Sequence, residues 1–125
     1  MTKRILIVDD EEDIRDVVRV SIEEFAGWLA MTAASGGEGL QIARTEALDV
    51  ILMDISMPDM DGFQMCEALK ADTQTQNIPV VVLTAKALQG DSDRFAKLDV
   101  AGVITKPFNP ITVWRQVAEI MDWSV

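Results

Sequence analysis

Histidine and tyrosine are both absent from this 125-residue chain, and cysteine occurs once, at Cys66. Without histidine, the chain has no Ser-His-Asp or Cys-His catalytic group, no histidine-ligated zinc and no phosphohistidine of its own. One cysteine forms neither an internal disulfide nor a Cys-x-x-Cys motif. Its apolar neighbours at helical spacing predict a small buried residue rather than a reactive thiol.

Long apolar runs and positive charge are scarce as well. The first apolar run has four residues and ends in acids, so no signal peptide is indicated, and no run approaches the roughly 20 residues of a membrane span. Lys and Arg total 11 against 21 Asp and Glu, which gives a net charge of −10. Such a chain repels phosphate backbones and anionic membranes. We therefore expect a cytoplasmic protein that binds neither nucleic acid nor membrane directly.

Short apolar runs alternate with helical patterns along the whole chain. The alternation is typical of a doubly wound α/β sandwich, here a (βα)5 flavodoxin-like fold with a parallel five-stranded sheet in the order 2-1-3-4-5. The length fits a single domain over residues 1–125. The predicted strands are 4–8, 29–33, 49–53, 79–83 and 102–105, and the predicted helices are 11–25, 37–47, 61–71, 88–98 and 110–122.

Local patterns support several of these boundaries. Ser35 to Glu38 fits a capping box at the start of the second helix, and Gly27 fits a left-handed end of the first. Asn109-Pro110 predicts an N-cap followed by proline at the first position of the last helix. Apolar stripes predict the core-facing sides of the first and last helices: Ile14, Val17, Val18, Ile22 and Phe25, and Trp114, Val117, Ala118 and Met121.

Three aspartates stand at the ends of two buried strands. Asp9 and Asp10 follow the run 5–8, and Asp54 follows the run 50–53. In the predicted strand order these strands are neighbours, about 4.8 Å apart, at the switch point where doubly wound sheets bind ligands. Crowded carboxylates stay ionised when a hard divalent cation compensates their charge. The pattern predicts a metal site built around a reactive acid.

Two further strand ends supply a hydroxyl and an ammonium group. Thr84 follows the fourth strand and Lys106 follows the fifth. Beside three acids and a cation, these groups form a receptor for a phosphoryl group, with a carboxylate as the nucleophile. Each residue alone has an ordinary interpretation as a cap, a turn or a surface group. Their conjunction at four strand ends favours a functional site.

These residues give the chain a clear resemblance to the response-regulator receiver domains of two-component signalling. The resemblance covers essentially the whole length and is nearest to stand-alone receivers of the chemotaxis-regulator type. The matching segments are Ile5 to Asp10, Ile51 to Gly62, Leu83 to Ala85 and Lys106 to Phe108.

The resemblance implies a role for each site residue. Asp54 would be the phosphoacceptor. Asp10 and Asp54 would bind Mg²⁺ together with the backbone carbonyl of Ser56, and Asp9 would act through a metal-bound water. Thr84 would contact an oxygen of the phosphoryl group.

Lys106 would contact another phosphoryl oxygen, and the Lys106-Pro107 peptide would be cis. One position departs from the family pattern. Receivers often carry Tyr or Phe three residues before the lysine, where its inward swing reports phosphorylation, and this chain has Val103. The commonest aromatic readout is therefore missing here.

The resemblance also implies partners. A histidine kinase or a histidine phosphotransfer protein would donate the phosphoryl group. The receiver would be a switch and not an enzyme in the ordinary sense, although the receiver would assist its own phosphorylation and dephosphorylation. A separate, unidentified downstream protein would bind the surface of the last two helices and the fifth strand. Because the sequence ends soon after the last helix, we expect a separate output partner, unless the chain is a fragment excised from a longer protein. Met57, Met60, Trp114 and Trp123 are further candidates for a contact surface.

Three alternatives remain open. A phosphoaspartate phosphatase needs a second acid two residues after its nucleophile, where this chain has Ser56. A flavodoxin-type protein needs a phosphate-binding loop after the first strand, where this chain has five acids, Asp9 to Asp13. A receiver fold that signals without phosphate is the third alternative, and Val103 keeps it open.

Overall fold

The apolar runs of the sequence form a five-stranded parallel sheet at the centre of the protein. The structure, a computed structural model, describes residues 2–55, 60, 62–84 and 100–123. The strand order is β2-β1-β3-β4-β5, which confirms the predicted fold class. The third and fourth strands each begin one residue later than predicted. The strands are β1 (Arg4–Val8), β2 (Leu29–Ala33), β3 (Val50–Asp54), β4 (Val80–Thr84) and β5 (Gly102–Thr105).

Helices cover both faces of this sheet. Because the central strands are covered on both sides, they are continuous apolar runs instead of alternating ones. Four of the five predicted helices fall on described residues, and the fifth, at 88–98, lies outside them. The described helices are α1 (Glu12–Val20), which continues as a π-helical segment (Ser21–Ala26), α2 (Gly36–Thr45), α3 (Gly62–Ala71) and α4 (Val113–Met121).

Successive strand residues point to opposite faces and divide the interior into two cores. Leu6 and Met53 face α2 and α3, where they pack in one cluster that includes Met65 and the buried Cys66. On the other face, Ile7 and its neighbours pack against α1 and α4. The buried position of Cys66 confirms the prediction made for it. Members of the second core are Ile5, Ile7, Val18, Ile22, Val50, Leu52, Val81, Leu83, Ile104, Val113 and Val117.

The predicted core stripe of α1 is only partly correct. Val18 and Ile22 are buried, but Val17 is exposed and Phe25 is 50% exposed. From Ser21 the backbone is π-helical, and this geometry turns through a smaller angle per residue than an α-helix. Phe25 therefore no longer follows the face that Ile22 buries, and it lies on the surface.

Two of the predicted helix ends have the expected geometry. Gly27 ends the π-helical segment with φ 72°, in the left-handed region that glycine adopts without a steric penalty. At the start of α2, the Ser35 hydroxyl accepts a hydrogen bond from the Glu38 N–H at 3.2 Å. The Glu38 carboxylate accepts from the Ala34 N–H at 3.4 Å. The capping box is thus present, with its return bond one residue earlier than in the standard motif.

The predicted start of the last helix is wrong by three residues. Asn109 caps a turn rather than the helix: its side-chain oxygen accepts from the Ile111 N–H at 2.8 Å, and its carbonyl accepts from the N–H groups of Thr112 and Val113. The regular helix begins at Val113. An asparagine side chain that binds the backbone two residues ahead favours this kind of turn.

None of the helices in the described ranges combines the length and the apolar character that crossing a membrane requires.

Candidate functional site

The register of the sheet aligns the ends of β1 and β3. Val8 of β1 pairs with Met53 of β3, so the residues that follow, Asp9 and Asp54, stand side by side at the carboxyl edge. Asp54 in turn pairs with Leu83 of β4, which brings the next residue, Thr84, to the same edge. The structure thus brings together the residues that the sequence placed at neighbouring strand ends.

The three aspartates form one acidic cluster. Each of Asp9, Asp10 and Asp54 offers a carboxylate oxygen, and these oxygens all lie within 4.8 Å of one another. Asp9 is fully buried and Asp54 is 4% exposed, whereas Asp10 is open to solvent. Three hard oxygen donors at this spacing suit a hard divalent cation, and the exposed side of the cluster gives such an ion a route of entry.

Lys106 contributes an ammonium group that contacts two of these carboxylates. Its Nζ lies 3.1 Å from Asp9 Oδ2 and 3.5 Å from Asp54 Oδ1. Desolvation by burial lowers the pKa of Lys106, but the hydrogen bond that its ammonium donates to Asp9 and the charges of both aspartates outweigh this effect, so the net shift of the pKa is upward. Lys106 is therefore an ammonium group throughout the neutral range. Its stabilising contribution is lost only when the pH rises through the raised pKa.

One ammonium does not neutralise three carboxylates. With Lys106 charged, the cluster still carries a net charge of −2, because each carboxylate contributes −1 and the ammonium +1. Like charges at this separation repel each other, and burial of two of them strengthens the repulsion. The geometry and the charge both fit a bound divalent ion.

Asp9 is held by bonds on both carboxylate oxygens. Oδ2 accepts from Lys106, and Oδ1 accepts from the Glu11 N–H at 2.9 Å. Its backbone carbonyl accepts a hydrogen bond from Arg15 Nη1 at 2.7 Å. With both side-chain oxygens already bonded, Asp9 has less free capacity for direct metal coordination than Asp10.

Other predicted features are distributed as follows. Thr84 is buried at the end of β4 and is 4% exposed. The Lys106-Pro107 peptide is cis, as the resemblance implied. Ser56 lies outside the described residues, as does Met57. Val103 lies exposed on β5, three residues before Lys106.

Sequence reasoning missed Gly62, whose backbone supports the β3 end. The Gly62 N–H donates to the Ile55 carbonyl at 2.9 Å. A Cβ at Gly62 would lie 2.6 Å from Ile55 Cδ1, 2.9 Å from Ile55 Cα and 3.0 Å from the Asp54 backbone oxygen. Only glycine permits this close approach, so Gly62 maintains the chain path that follows Asp54.

An apolar groove runs along α1 beside the site. One part, with a volume of about 420 Å³, begins at Lys106 and Pro107 and extends to Val17. The next part, of about 270 Å³, shares Val17 and ends at Ile111, which is 57% exposed. We call both parts together the α1 groove. Its lining is Ile14, Asp16, Val17, Val20, Phe25, Lys106, Pro107, Phe108, Pro110 and Ile111.

Comparison with known proteins shows the family of this chain. The family model of the response regulator receiver domain matches residues 5–118. The chain therefore belongs to the response-regulator receiver family. Receiver domains are the phosphorylation-dependent switches of two-component signalling; they interact with histidine kinases and downstream targets and are not in general an enzyme family.

Individual relatives show the extent of this similarity. The chain is 36% identical over 124 residues to the alkaline phosphatase synthesis transcriptional regulatory protein PhoP of Bacillus subtilis, covering 99% of this chain and 50% of PhoP. It thus spans half the length of that relative. The chemotaxis response regulator CheY4 of Vibrio cholerae superposes with a TM-score of 0.88 at 31% identity, covering 96% of this chain and 99% of CheY4.

A second solved structure bears on the acidic cluster. The receiver domain of the sensor histidine kinase PA1611 from Pseudomonas aeruginosa has a TM-score of 0.85 at 25% identity, over 98% of this chain and 99% of that one. That structure contains a magnesium ion coordinated in its active site cleft.

We predict that Gly62→Ala lowers the free energy of unfolding by about 1–3 kcal/mol, because the added methyl group overlaps Ile55 and the Asp54 backbone. Urea unfolding of the purified variants measures the change. Gly37→Ala is the matched control, since a Cβ there meets nothing within 4 Å and lies in the first turn of α2. Equal stability of the two variants would show that the space around Gly62 is not restrictive.

Proposed function

We propose that the chain is a phosphorylation switch in which Asp54 accepts a phosphoryl group from a phosphohistidine on a partner protein. The observation that carries the proposal is the convergence of Asp9, Asp10 and Asp54 within 4.8 Å beside Lys106. Asp54 is the central member, since it lies at the end of β3 between the other two acids and β4. A carboxylate is a competent nucleophile toward phosphorus.

Magnesium is the cation we assign to the cluster. Asp10 and Asp54 would hold it together with the backbone carbonyl of Ser56, and Asp9 would act through a bound water because its own oxygens already accept hydrogen bonds. When bound, the ion neutralises negative charge on the phosphoryl oxygens and on the acids that surround them. The all-oxygen donor set supports this assignment.

The chain's own residues account for the rest of the reaction. An oxygen of Asp54 forms a bond to phosphorus as the phosphorus–nitrogen bond of the donor breaks, and the imidazole leaves with the electron pair of that bond. Lys106 is protonated and within 3.5 Å of Asp54, so its ammonium is placed to bind a phosphoryl oxygen. Thr84 lies at the end of the next strand, where its hydroxyl can donate to another.

Phosphorylation would then alter the affinity for a downstream protein. Once Lys106 binds the phosphoryl group, its bonds to Asp9 and Asp54 must rearrange, and Thr84 must turn toward the same group. Val103 cannot perform the aromatic swing, so we assign the change to Thr84, at the end of β4. The net charge of −10 favours basic partner surfaces.

The cytoplasmic location of the protein stays a prediction from the sequence.

The α1 groove is the surface we assign to the phosphodonor, a histidine kinase or a histidine phosphotransfer protein. A donor must bring its phosphohistidine to Asp54, so its surface must cover the region beside Lys106, where the groove begins. Exposed apolar side chains at Phe25 and Ile111 extend that surface away from the site. A helix with an apolar face fits such a groove.

The alternatives lack comparable support. A phosphatase of the phosphoaspartate type would need an acid at the position of Ser56. A phosphate-independent module would have no use for a buried Asp54 beside Lys106, and that geometry favours the switch.

We expect the wild-type chain to gain the mass of one phosphoryl group on incubation with acetyl phosphate and Mg²⁺, and Asp54→Asn to gain none, because the amide is a poor nucleophile. Intact-mass spectrometry measures the adduct. Asp13→Asn is the control, since it removes an exposed carboxylate just outside the cluster. Equal labelling of Asp54→Asn and wild type would exclude Asp54 as the acceptor.

We expect saturating Mg²⁺ to raise the free energy of unfolding of the wild type, by about 2.7 kcal/mol at a hundredfold excess over the dissociation constant. Asp10→Asn should be up to about 1 kcal/mol more stable than wild type in EDTA, because one like charge is removed, and should lose most of the Mg²⁺ response. Urea unfolding with and without Mg²⁺ measures both effects.

The control for this experiment is Glu67→Gln, which removes an exposed carboxylate on α3. It should keep the full Mg²⁺ response. A response that survives in Asp10→Asn would place the ion elsewhere.

We expect Ile111→Glu to lower the rate of phosphoryl transfer from a histidine kinase or phosphotransfer protein by about tenfold, since it adds a charge to an apolar contact. Labelling by acetyl phosphate should be unchanged, because a small donor does not use the groove. Leu29→Glu is the matched control: Leu29 is 53% exposed but lies on β2, outside the groove lining. Equal transfer rates for Ile111→Glu and Leu29→Glu would show that the donor docks on a surface other than the α1 groove.

A further inference from the structure

Arg15 contacts the chain segment that carries Asp9 and Asp10. The proposed reaction does not use this contact. This half-buried residue lies on α1, six positions after Asp9. Its Nη1 donates a 2.7 Å hydrogen bond to the Asp9 backbone carbonyl, so the side chain reaches back from the helix to the end of β1. A hydrogen bond from a charged donor is stronger than one between neutral groups.

The bonded carbonyl belongs to the peptide that joins Asp9 to Asp10. The orientation of this peptide sets the direction of the Asp10 side chain, the exposed member of the acidic cluster. Asp9 has several restraints of its own: its N–H donates to the Ala33 carbonyl at 3.2 Å, and both carboxylate oxygens accept hydrogen bonds. Asp10 is at the surface between two held peptides: Arg15 binds the peptide before it, and the Glu11 N–H of the peptide after it donates to Asp9 Oδ1.

We propose that Arg15 is a positioning residue for the divalent cation: by fixing the Asp9–Asp10 peptide, it holds the Asp10 carboxylate where it can share an ion with Asp54. This inference rests on the proposed function, because it concerns the same metal site. It assigns to Arg15 no contact with the ion or with the phosphoryl group.

The Arg15 guanidinium has two opposite effects on the binding of a nearby cation. The direction in which the affinity changes on mutation therefore distinguishes an electrostatic role from a positioning role. The positive charge of the guanidinium repels a divalent ion, so a purely electrostatic role predicts tighter binding when the charge is removed. Its hydrogen bond fixes a ligand, so a positioning role predicts weaker binding when the bond is removed. Partners that orient metal ligands typically contribute 10- to 100-fold to affinity. The positioning effect should therefore exceed the charge effect.

The test is the dissociation constant for Mg²⁺, measured by calorimetry on the folded protein without any phosphodonor. We expect Arg15→Leu to weaken binding by about tenfold, and Arg15→Lys to recover part of the loss because an ammonium can still donate. Arg19→Leu is the control: it removes the same charge one turn further along α1, where Arg19 pairs with Glu23 at 2.8 Å and Asp16 at 3.7 Å. Its dissociation constant should stay at the wild-type value.

The outcomes distinguish this inference from the proposed function. Binding by Arg15→Leu that equals or exceeds that of the wild type would overturn the positioning role and leave the metal site intact. Absence of Mg²⁺ binding to the wild type would contradict the proposed function itself. A loss of fold stability alone would not change the affinity of the folded fraction. Should Arg15→Leu fail to fold, Arg15→Gln provides the same test, since its shorter neutral side chain cannot reach the Asp9 carbonyl.

Discussion

The site depends on electrostatic crowding at the carboxyl edge of two adjacent strands. Parallel pairing of β1 with β3 brings Asp9, Asp10 and Asp54 within 4.8 Å of one another, and Lys106 neutralises only one of their three charges. Such a cluster has excess negative charge until a cation binds. This unfavourable charge arrangement is the feature that supports the proposed metal site.

Much of the fold was predictable from the sequence because each local signal agreed with the others. Buried strands such as 4–8 are short apolar runs, and the turn signals between them are strong. Five strands that alternate with five helices indicate a doubly wound sheet, and the strand order 2-1-3-4-5 is that of its flavodoxin-like form. Since that order decides which strand ends are neighbours, the cluster of Asp9 and Asp54 with Lys106 could be predicted before any coordinates were known.

The errors have local physical causes. Phe25 was placed in the core because the sequence does not reveal where an α-helix becomes π-helical at Ser21. Asn109 is predicted as a helix cap, but its side chain binds the backbone of the turn that precedes α4. Arg15 and Gly62 were missed because their roles depend on contacts with backbone atoms, which composition and spacing do not encode. Phe25, which the π-helical segment leaves at the surface, lines the α1 groove.

The most direct measurement is an anomalous difference map from a crystal of the protein grown with Mn²⁺, a substitute for Mg²⁺ that scatters anomalously. Our account requires one ion within bonding distance of carboxylate oxygens of Asp10 and Asp54, with Lys106 close by. A map without a peak there, and with the two carboxylates turned away from each other, would contradict it.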